Sequence, residues 1–259
     1  MSASFHFDGR VAIVTGGTRG VGRGIACALL EAGADVAICG RRPPEIPVES
    51  GGRTALFLPC DVRSADQAAA LVESVAQRFG RLDLLVNNAG GSPVADAATA
   101  SPRFSESIIA LNLTGPLHLS QAANKIMQAQ PEGGSIVNIA SVSGTRPSPT
   151  TAAYGAAKAG LLNLTQSLAM EWGPKVRVNA IIAGLIVTDS AALHYGSDDA
   201  VKRIGAMLPA GRMAVPADIA AAVLYLASPA AAYVSGARLA VDGGGERPSF
   251  LGLADVGGT

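Results

Sequence analysis

The chain has 259 residues, an ordinary length for one α/β domain built around a large shared core. Apolar residues make up 49% of it and aromatic residues only 4%, with 31 glycines, which favours small aliphatic side chains packed on a parallel sheet. The 20 basic and 20 acidic residues balance and form no basic run, so composition supports binding neither to nucleic acid nor to an anionic membrane surface.

No segment predicts export or membrane insertion. Residues 1–10 lack the apolar region of a signal peptide, and the most apolar stretch, residues 219–234, is interrupted by Ser228 and Pro229. The three cysteines are odd in number and show no metal-ligand spacing, so we interpret them as buried free thiols in a reducing compartment. We therefore expect a cytoplasmic protein without a bound metal.

Short apolar runs and helical patterns alternate along the chain. The predicted strands cover residues 11–14, 35–39, 54–60, 82–87, 135–140, 176–182 and 237–241. The predicted helices cover residues 21–32, 64–79, 102–128, 151–172 and 216–227, and Ser64 with Gln67 predicts a capping box. This alternation predicts an α/β fold, a Rossmann-type doubly wound parallel β-sheet of about seven strands flanked by helices.

No repeat or linker divides the chain. We therefore expect a single domain over residues 1–259, with a core at about 9–244 and a C-terminal tail at 246–259. One connection is unusual, because residues 43–53 contain three prolines and two adjacent glycines. We expect that crossover to be mostly irregular, with at best a short turn of helix.

A glycine-rich turn, TGGTRGVG, joins the first predicted strand to the first predicted helix. Glycines at such a turn let backbone N–H groups approach a pyrophosphate, and the helix N-terminus adds its positive dipole. The position between a strand and a helix makes this a candidate nucleotide site, although the spacing differs from GxGxxG. The predicted contacts are Gly16, Thr18, Arg19, Gly20, Val21 and Gly22.

The end of the second strand bears on the choice of dinucleotide. An NAD site would place Asp or Glu there for the ribose 2′-OH, but this chain has Arg41 and Arg42. A guanidinium suits a 2′-phosphate, and Arg19 would reach it from the other side. The alternative is that these are solvated surface arginines. We expect NADP(H) as the preferred cofactor, with NAD(H) possible.

Four polar residues form a candidate catalytic set. Tyr154 and Lys158 are four residues apart and so share one helix face. Ser141 follows a strand at the carboxyl edge of the predicted sheet, where ligands bind. Asn112 lies inside a predicted helix, where asparagine is unfavourable. Its alternative to a catalytic role is to stabilise a kink in that helix. A lone Tyr/Lys pair is usually structural, but the whole set is more specific.

With these motifs in order, residues 9–244 resemble the single-domain branch of the short-chain dehydrogenase/reductase family. The resemblance is carried by TGGTRGVG, Cys60–Val62, Asn87–Gly90, Asn112, Ser141, Tyr154 to Lys158, and residues 179–188. It implies that Tyr154 exchanges a proton with the substrate oxygen while a hydride moves between nicotinamide and substrate. The Lys158 ammonium and the nicotinium charge would together favour the phenolate, and lowering its pKa by ~2 would represent roughly 3 kcal/mol. Lys158 would also bind the nicotinamide ribose hydroxyls.

The resemblance implies further roles. Ser141 would orient the substrate carbonyl, and Asn112 would hold a water that links Lys158 to solvent. Asp61 and Val62 would line adenine, and the remaining cofactor contacts would be Asn88, Ala89, Gly90, Gly184, Ile186 and Thr188. The family usually has Pro-Gly where this chain has Ala183-Gly184, a departure that bears on how the nicotinamide is positioned.

Residues 188–209 correspond to the family's substrate lid, and their Gly, Ser and Asp content predicts a mobile loop. Substrate contacts are expected from Ser141, Tyr154, Leu193 and Met207, with Tyr195 nearby and His194 as an exposed loop residue. We expect a neutral, moderately hydrophobic ketone or secondary alcohol as substrate, and the resemblance implies a homotetramer.

Three other functions are alternatives for this sequence. A 3-oxoacyl thioester (acyl-carrier-protein) reductase of fatty-acid synthesis remains the alternative enzyme, although the lid carries no cationic cluster. A non-catalytic NADP-binding regulatory protein would not need the four polar residues. An interaction scaffold would not need the glycine-rich turn.

Overall fold

The structure, a computed structural model, describes residues 5–189 and 195–248. Within them, seven strands form one sheet and two more form a short hairpin. The strands are β1 (Val11–Thr15), β2 (Asp35–Gly40), β3 (Glu49–Ser50), β4 (Arg53–Thr54), β5 (Leu56–Pro59), β6 (Leu84–Asn87), β7 (Gly134–Ser141), β8 (Val176–Ala183) and β9 (Arg238–Val241).

The main sheet has the order β5-β2-β1-β6-β7-β8-β9, and every neighbouring pair is parallel. The strand order reverses at β1, which has β2 on one side and β6 on the other. This is the doubly wound sheet that the sequence predicts, and the reversal point is where such sheets bind ligands.

Helices cover both faces of the sheet. They are α1 (Gly20–Glu31), α2 (Ala65–Phe79), α3 (Pro102–Ile109), α4 (Gly115–Ala129), α5 (Ala152–Trp172), α6 (Asp198–Met207) and α7 (Pro216–Ala227). Alternate residues of β1 face opposite layers, so Ala12 and Val14 pack with α1 and α7, whereas Val11 and Ile13 pack with α2 and α4. None of the helices in the described ranges is long and apolar enough to cross a membrane.

The crossover between β2 and β5 contains no helix, as predicted. Its only regular part is the β3–β4 hairpin, in which Glu49 pairs with Thr54. The Arg23 guanidinium donates to the carbonyls of Ile46 and Pro47 at 2.8 and 2.9 Å. This arginine of α1 therefore fixes a proline-rich segment that cannot form a helix of its own.

Three local predictions need correction. The Ser64 hydroxyl accepts from the Gln67 backbone N–H, as in a capping box. The Gln67 side-chain oxygen, however, accepts from the Asp61 backbone N–H and not from that of Ser64, because the Ser64 N–H already donates to the Asp61 carbonyl. The single helix predicted over residues 102–128 is divided by a π-helical turn, Ala110–Thr114. The predicted lid loop contains the helix α6, whose N-cap is Ser197.

Candidate active site

The glycine-rich turn forms a cradle that excludes side chains. The φ of Gly16 is +65°, a left-handed conformation that disfavours other residues. A Cβ on Gly22 would lie 2.3 Å from the Gly16 carbonyl oxygen and 2.4 Å from the Asn88 side-chain nitrogen. Only glycine therefore allows α1 to begin this close to β1 and to the chain that follows β6.

The N-terminus of α1 carries no side-chain cap. Its N-cap residue, Arg19, is extended and makes no capping hydrogen bond. Uncapped N–H groups at a helix N-terminus suit a phosphate. Thr188 lies beside this turn, since a Cβ on Gly20 would be 3.6 Å from its methyl carbon. The chain after β8 thus meets the cradle, as the resemblance implies.

Thr15 organises the cradle and was not among the predicted contacts. Its buried hydroxyl oxygen accepts from the N–H groups of both Asn88 and Ala89 at 2.9 Å. The Asn88 side chain donates in return to the Thr15 carbonyl at 2.8 Å. A threonine at the end of a buried strand was the available sequence signal, because a buried hydroxyl needs a partner.

Arginines surround the ends of β2 and the cradle. The side chains of Arg19, Arg41 and Arg42 are exposed, and none forms a hydrogen bond or ion pair with another described residue. Arg41 is close enough to Asp61 to help lower the pKa of that carboxyl, although the hydrogen bond from Arg63 is the main cause. Thr18 lies against Gly40, within 3.4 Å of where a Cβ would be.

Of the two residues predicted at the adenine edge, Asp61 lines an open cavity of about 460 Å³, together with side chains of α2 and α3. Val62 is buried, whereas the Asp61 carboxylate accepts from the Arg63 guanidinium, with Nε 2.9 Å from Oδ1. Arg63 also donates to the Ser107 hydroxyl of α3 at 2.9 Å. An adenine amino group would therefore share Asp61 with Arg63, a competition that the sequence motif does not reveal.

Tyr154 and Lys158 lie on one face of α5, as their spacing predicts. The Lys158 nitrogen is 5.6 Å from the centre of the Tyr154 ring and donates to the Ile139 carbonyl at 2.7 Å. The Ser141 side chain, at the end of β7, is close enough to the Tyr154 hydroxyl to lower its pKa. Three of the four predicted catalytic residues are therefore close together at the carboxyl edge of the sheet.

Burial sets the charge of both groups. It raises the pKa of Tyr154 above its usual value, and the nearby Ser141 side chain only partly offsets this. Burial also lowers the pKa of Lys158 to about 8. The expected lowering of the tyrosine pKa by Lys158 and the nicotinium charge concerns the complex with cofactor and stays a prediction; in the protein alone, burial is the main influence on the phenol. Tyr154 is a protonated acid at neutral pH.

Asn112 is fully buried in the π-helical turn. Its side-chain nitrogen donates to the carbonyls of Ile108 and Gly91, and its oxygen accepts from the Gly91 N–H at 2.9 Å. A Cβ on Gly90 would lie 2.7 Å from the Asn112 oxygen and 3.2 Å from the Lys158 nitrogen. Asn112 thus stabilises the π turn and holds the Gly90–Gly91 backbone beside Lys158. Its role toward a water remains a prediction.

The comparisons with known proteins agree with this geometry. A family model described as enoyl-(acyl carrier protein) reductase matches residues 16–246. D-threitol dehydrogenase of Mycolicibacterium smegmatis is 38% identical, over 93% of this chain and 94% of that protein. 2-dehydro-3-deoxy-D-gluconate 5-dehydrogenase of Escherichia coli is 35% identical, over 93% and 97%. A short-chain type dehydrogenase/reductase from Mycobacterium marinum superposes with a TM-score of 0.87 at 31% identity, covering 95% and 98%.

The chain belongs to the short-chain dehydrogenase/reductase family. It is accordingly an oxidoreductase of the CH–OH/C=O class, in a family whose members bind NAD(P). Ala183 replaces the proline usual in this family, yet the turn that follows is held firmly. The Gly184 N–H donates to the Val241 carbonyl at 3.0 Å, and a Cβ on Gly184 would lie 2.7 Å from the Asp242 Cα.

The substrate side of this short-chain dehydrogenase/reductase is partly described. The Tyr195 hydroxyl accepts from the Ile186 N–H, and Tyr195 is close enough to Tyr154 to raise its pKa slightly. Leu193 and His194 lie outside the described residues. Met207 ends α6 and is 67% exposed, so its contact with substrate remains a prediction.

A strained residue leads into the catalytic helix. Thr150 has a φ of +63°, an outlier for a β-branched side chain. Its carbonyl accepts from the Ala95 N–H at 2.8 Å, which holds the loop after β7 against the loop after β6. This conformation fixes the direction in which the chain enters α5, four residues before Tyr154.

Proposed function

We propose that this protein is a cytoplasmic NADP(H)-dependent oxidoreductase that interconverts a ketone and a secondary alcohol, with Tyr154 as general acid/base. The observation that carries the proposal is that Tyr154, Ser141 and buried Lys158 lie together at the same sheet edge as the glycine cradle. When bound, the dinucleotide supplies or accepts the hydride at C4 of its nicotinamide.

The residues present fit a dinucleotide. The closeness of Gly22 to the Gly16 carbonyl and the uncapped N-terminus of α1 make a backbone surface for the pyrophosphate. On either side of this surface, Asp61 and Val62 would contact the adenine, and Lys158 would contact the nicotinamide ribose. The other proposed contacts are Thr18, Arg19, Gly20, Val21, Asn88, Ala89, Gly90, Gly184, Ile186 and Thr188.

The preference for NADP(H) rests on charge at the end of β2. Arg41 and Arg42 occupy the position where an NAD site needs a carboxylate, and neither forms a hydrogen bond or a salt bridge with another described residue. A guanidinium at this position favours a 2′-phosphate, because it donates charge-assisted hydrogen bonds to the phosphate oxygens. Arg41→Ala should weaken NADPH binding by about tenfold or more while leaving NADH binding within about twofold. Equal losses for both would argue against a 2′-phosphate contact.

The proton chemistry follows from the charge states. In reduction, the protonated Tyr154 hydroxyl donates to the carbonyl oxygen while Ser141 donates a second hydrogen bond to the same oxygen. In alcohol oxidation, Tyr154 must first lose its proton. Lys158 remains cationic below pH 8 and favours the phenolate during turnover. Asn112 acts by holding the backbone beside Lys158.

The substrate class is a ketone or a secondary alcohol without an attached carrier protein. The named relatives are a dehydrogenase of a polyol and one of a sugar acid. We favour this class over a 3-oxoacyl thioester. A panel of ketones, secondary alcohols and 3-oxoacyl thioesters, assayed with both nicotinamides, would identify the best substrate.

We also propose a homotetramer. Two large apolar side chains, Met170 of α5 and Tyr233 near β9, are 87% and 104% exposed. Met170 lies on a long helix and Tyr233 on the segment that leads into the last strand, the parts through which the family commonly assembles, and burying both side chains would be favourable. Light scattering after gel filtration should give four times the chain mass of 26.0 kDa.

Tyr154→Phe tests the function directly. The substitution removes only the hydroxyl, so NADPH affinity should stay near that of the wild type while kcat falls by about a thousandfold or more. The partly buried ring keeps its packing, and a thermal melt provides the folding control. An unchanged kcat would contradict the assignment of Tyr154 as the acid.

A further inference from the structure

An ion pair joins two parts of the chain that lie far apart in the sequence. The Arg146 guanidinium donates to the Glu246 carboxylate at 2.5 Å, across a separation of 100 residues. Arg146 lies in the loop between β7 and α5, and Glu246 lies in the chain that leaves β9. Residues 142–148 are called here the β7–α5 loop, and residues 242–246 the strap.

The β7–α5 loop is packed against the helix that carries Tyr154. A Cβ on Gly144 would lie 2.7 Å from the Lys158 carbonyl carbon. A Cβ on Gly155 would lie 2.8 Å from the Cβ of Ser148. The loop therefore contacts α5 on both sides of residue 146, which fixes that residue relative to the proposed catalytic residues.

The strap is packed against the end of the predicted lid. The Gly243 carbonyl accepts from the N–H of Ala210, shortly after the end of α6, at 3.0 Å. A Cβ on Gly244 would lie 2.9 Å from the Cβ of Pro209. The φ angles of Gly243, Gly244 and Gly245 are +69°, +95° and +82°, a path that glycine adopts and other residues disfavour. The strap and the end of the lid should therefore move together.

The turn after β8, which is a proposed contact to the cofactor, is held without the ion pair. The Gly184 N–H donates to the Val241 carbonyl of β9. The N–H of Ala214 donates to the Leu185 carbonyl, and the Ala214 carbonyl accepts from the Val187 N–H, both at 2.9 Å. Breaking the ion pair should therefore leave the proposed cofactor contacts of this turn in place.

We propose that Arg146 and Glu246 are positioning residues for the substrate, because their ion pair fastens the end of the lid, through the strap, to the β7–α5 loop. The effect on substrate rests on the proposed function, whereas the fastening does not. The fastened parts belong to two walls of the proposed substrate cleft, since Ser141 begins one and the predicted lid forms the other. Burial raises the pKa of Tyr195 and nearby Glu246 raises it further, which places Glu246 beside a residue of the substrate side.

The expected effect is small and confined to the substrate. The two side chains are 40% and 37% exposed, and ion pairs of this kind contribute little. Breaking the pair should raise the KM for a ketone about threefold, because the lid is then no longer fastened to the opposite wall. The kcat should stay within about twofold, because Tyr154 and Ser141 are held by α5 and β7. Salt at about 1 M should screen the pair and remove the difference in KM.

The test is a double-mutant cycle at low salt, with NADPH and the best ketone of the panel. Arg146→Ala and Glu246→Gln should each raise KM about threefold, and the double variant should raise it no further. The reversed pair, Arg146→Glu with Glu246→Arg, should restore much of the wild-type KM. The Kd for NADPH should not change. Arg247→Ala, which removes an exposed charge next to Glu246, is the matched control and should leave KM as in the wild type.

Hydrogen exchange tests the fastening without substrate or cofactor. Arg146→Ala and Glu246→Gln should each speed amide exchange in peptides that cover the β7–α5 loop and the strap, whereas Arg247→Ala should not. Unchanged exchange in both variants would overturn the fastening. Additive effects of the two single variants on KM, or a loss confined to kcat, would overturn the role toward substrate. If the wild type reduces no ketone, the proposed function and that role both fail, and the exchange still decides whether the pair fastens the two segments.

Discussion

Replacing Lys158 with methionine should make the protein more stable at neutral pH while inactivating it. Lys158 is 3% exposed, and its main described polar contact is the hydrogen bond to the Ile139 carbonyl. Burying an ammonium without a carboxylate partner is unfavourable. Methionine has a similar length and shape and carries no charge, so it removes that penalty with little change in packing.

The magnitude follows from the lysine pKa. Burial lowers this pKa from 10.5 to about 8. At 1.36 kcal/mol per pKa unit, the native state is about 3 kcal/mol less stable at any pH where Lys158 is charged in both the native and the unfolded protein. Loss of the hydrogen bond to Ile139 removes about 1 kcal/mol of stability. We therefore expect Lys158→Met to raise the free energy of unfolding at pH 7 by about 2 kcal/mol.

The pH dependence gives a second signature. Between pH 8 and 10.5 the native protein has lost the Lys158 proton and the unfolded chain has not, so wild-type stability rises with pH relative to the variant. Urea unfolding of both proteins at equal concentration, from pH 7 to pH 10.5, should show the advantage of the variant disappearing across that interval.

Lys202→Met is the matched control, since that side chain is 80% exposed. It should change the free energy of unfolding by less than about 0.5 kcal/mol at every pH. A lower stability of Lys158→Met at pH 7, or a difference that does not vary with pH, would refute the reasoning from burial.

Three further outcomes follow from other contacts. Thr150→Gly should exceed Thr150→Ala in stability by about 1 kcal/mol in urea unfolding, because only glycine adopts a φ of +63° without strain; the reverse order would contradict the strain. Asp83→Asn should lower the free energy of unfolding by about 3 kcal/mol at pH 7. Burial raises the pKa of Asp83, but hydrogen bonds from Arg81, Arg10 and the Val11 N–H outweigh it and leave the pKa below its usual value. That stabilisation is lost as pH falls through the lowered pKa, below 3.8, so wild type and variant should converge in acid; a gap independent of pH would count against it. Alcohol oxidation should rise with pH above neutrality and ketone reduction should not, because the raised pKa of Tyr154 leaves little phenolate at pH 7; parallel pH–rate profiles would exclude this assignment.

Much of the fold was readable because the signals are local. The strand runs and the glycine-rich turn predicted seven parallel strands and the position of the cradle, and these are confirmed. The four-residue spacing of Tyr154 and Lys158 placed both on one helix face, where the Lys158 nitrogen is 5.6 Å from the ring centre. Periodicity and spacing suffice when the partners lie on the same element.

The sequence failed where partners come from distant elements. Nothing local marks the π turn at Ala110–Thr114 except a helical asparagine, because its partner, Gly91, lies 21 residues away. The pKa of Tyr154 lies above its usual value mainly because surrounding elements bury the side chain, which the spacing to Lys158 does not reveal. Likewise, the pairing of Asp61 with Arg63 depends on a loop conformation that composition does not specify.

The helix α6 shows a different kind of failure. Glycine, serine and aspartate around residues 196–199 indicated a mobile loop, but Ser197 caps a helix and Asp198 and Asp199 occupy its first turn. These residue types favour helix N-termini as well as loops. The local composition was therefore compatible with both structures, and the helical pattern of residues 200–207 was the evidence that should have decided between them.

Isotope transfer tests the central claim most directly. NADPH carrying deuterium at the transferable C4 position should be incubated with the wild-type protein and the best ketone of the panel, and the product analysed by mass spectrometry and NMR. We predict deuterium on the carbinol carbon with wild type and almost none with Tyr154→Phe, which should still bind the cofactor. A wild-type protein that binds NADPH yet transfers no deuterium to any ketone of the panel would contradict the account.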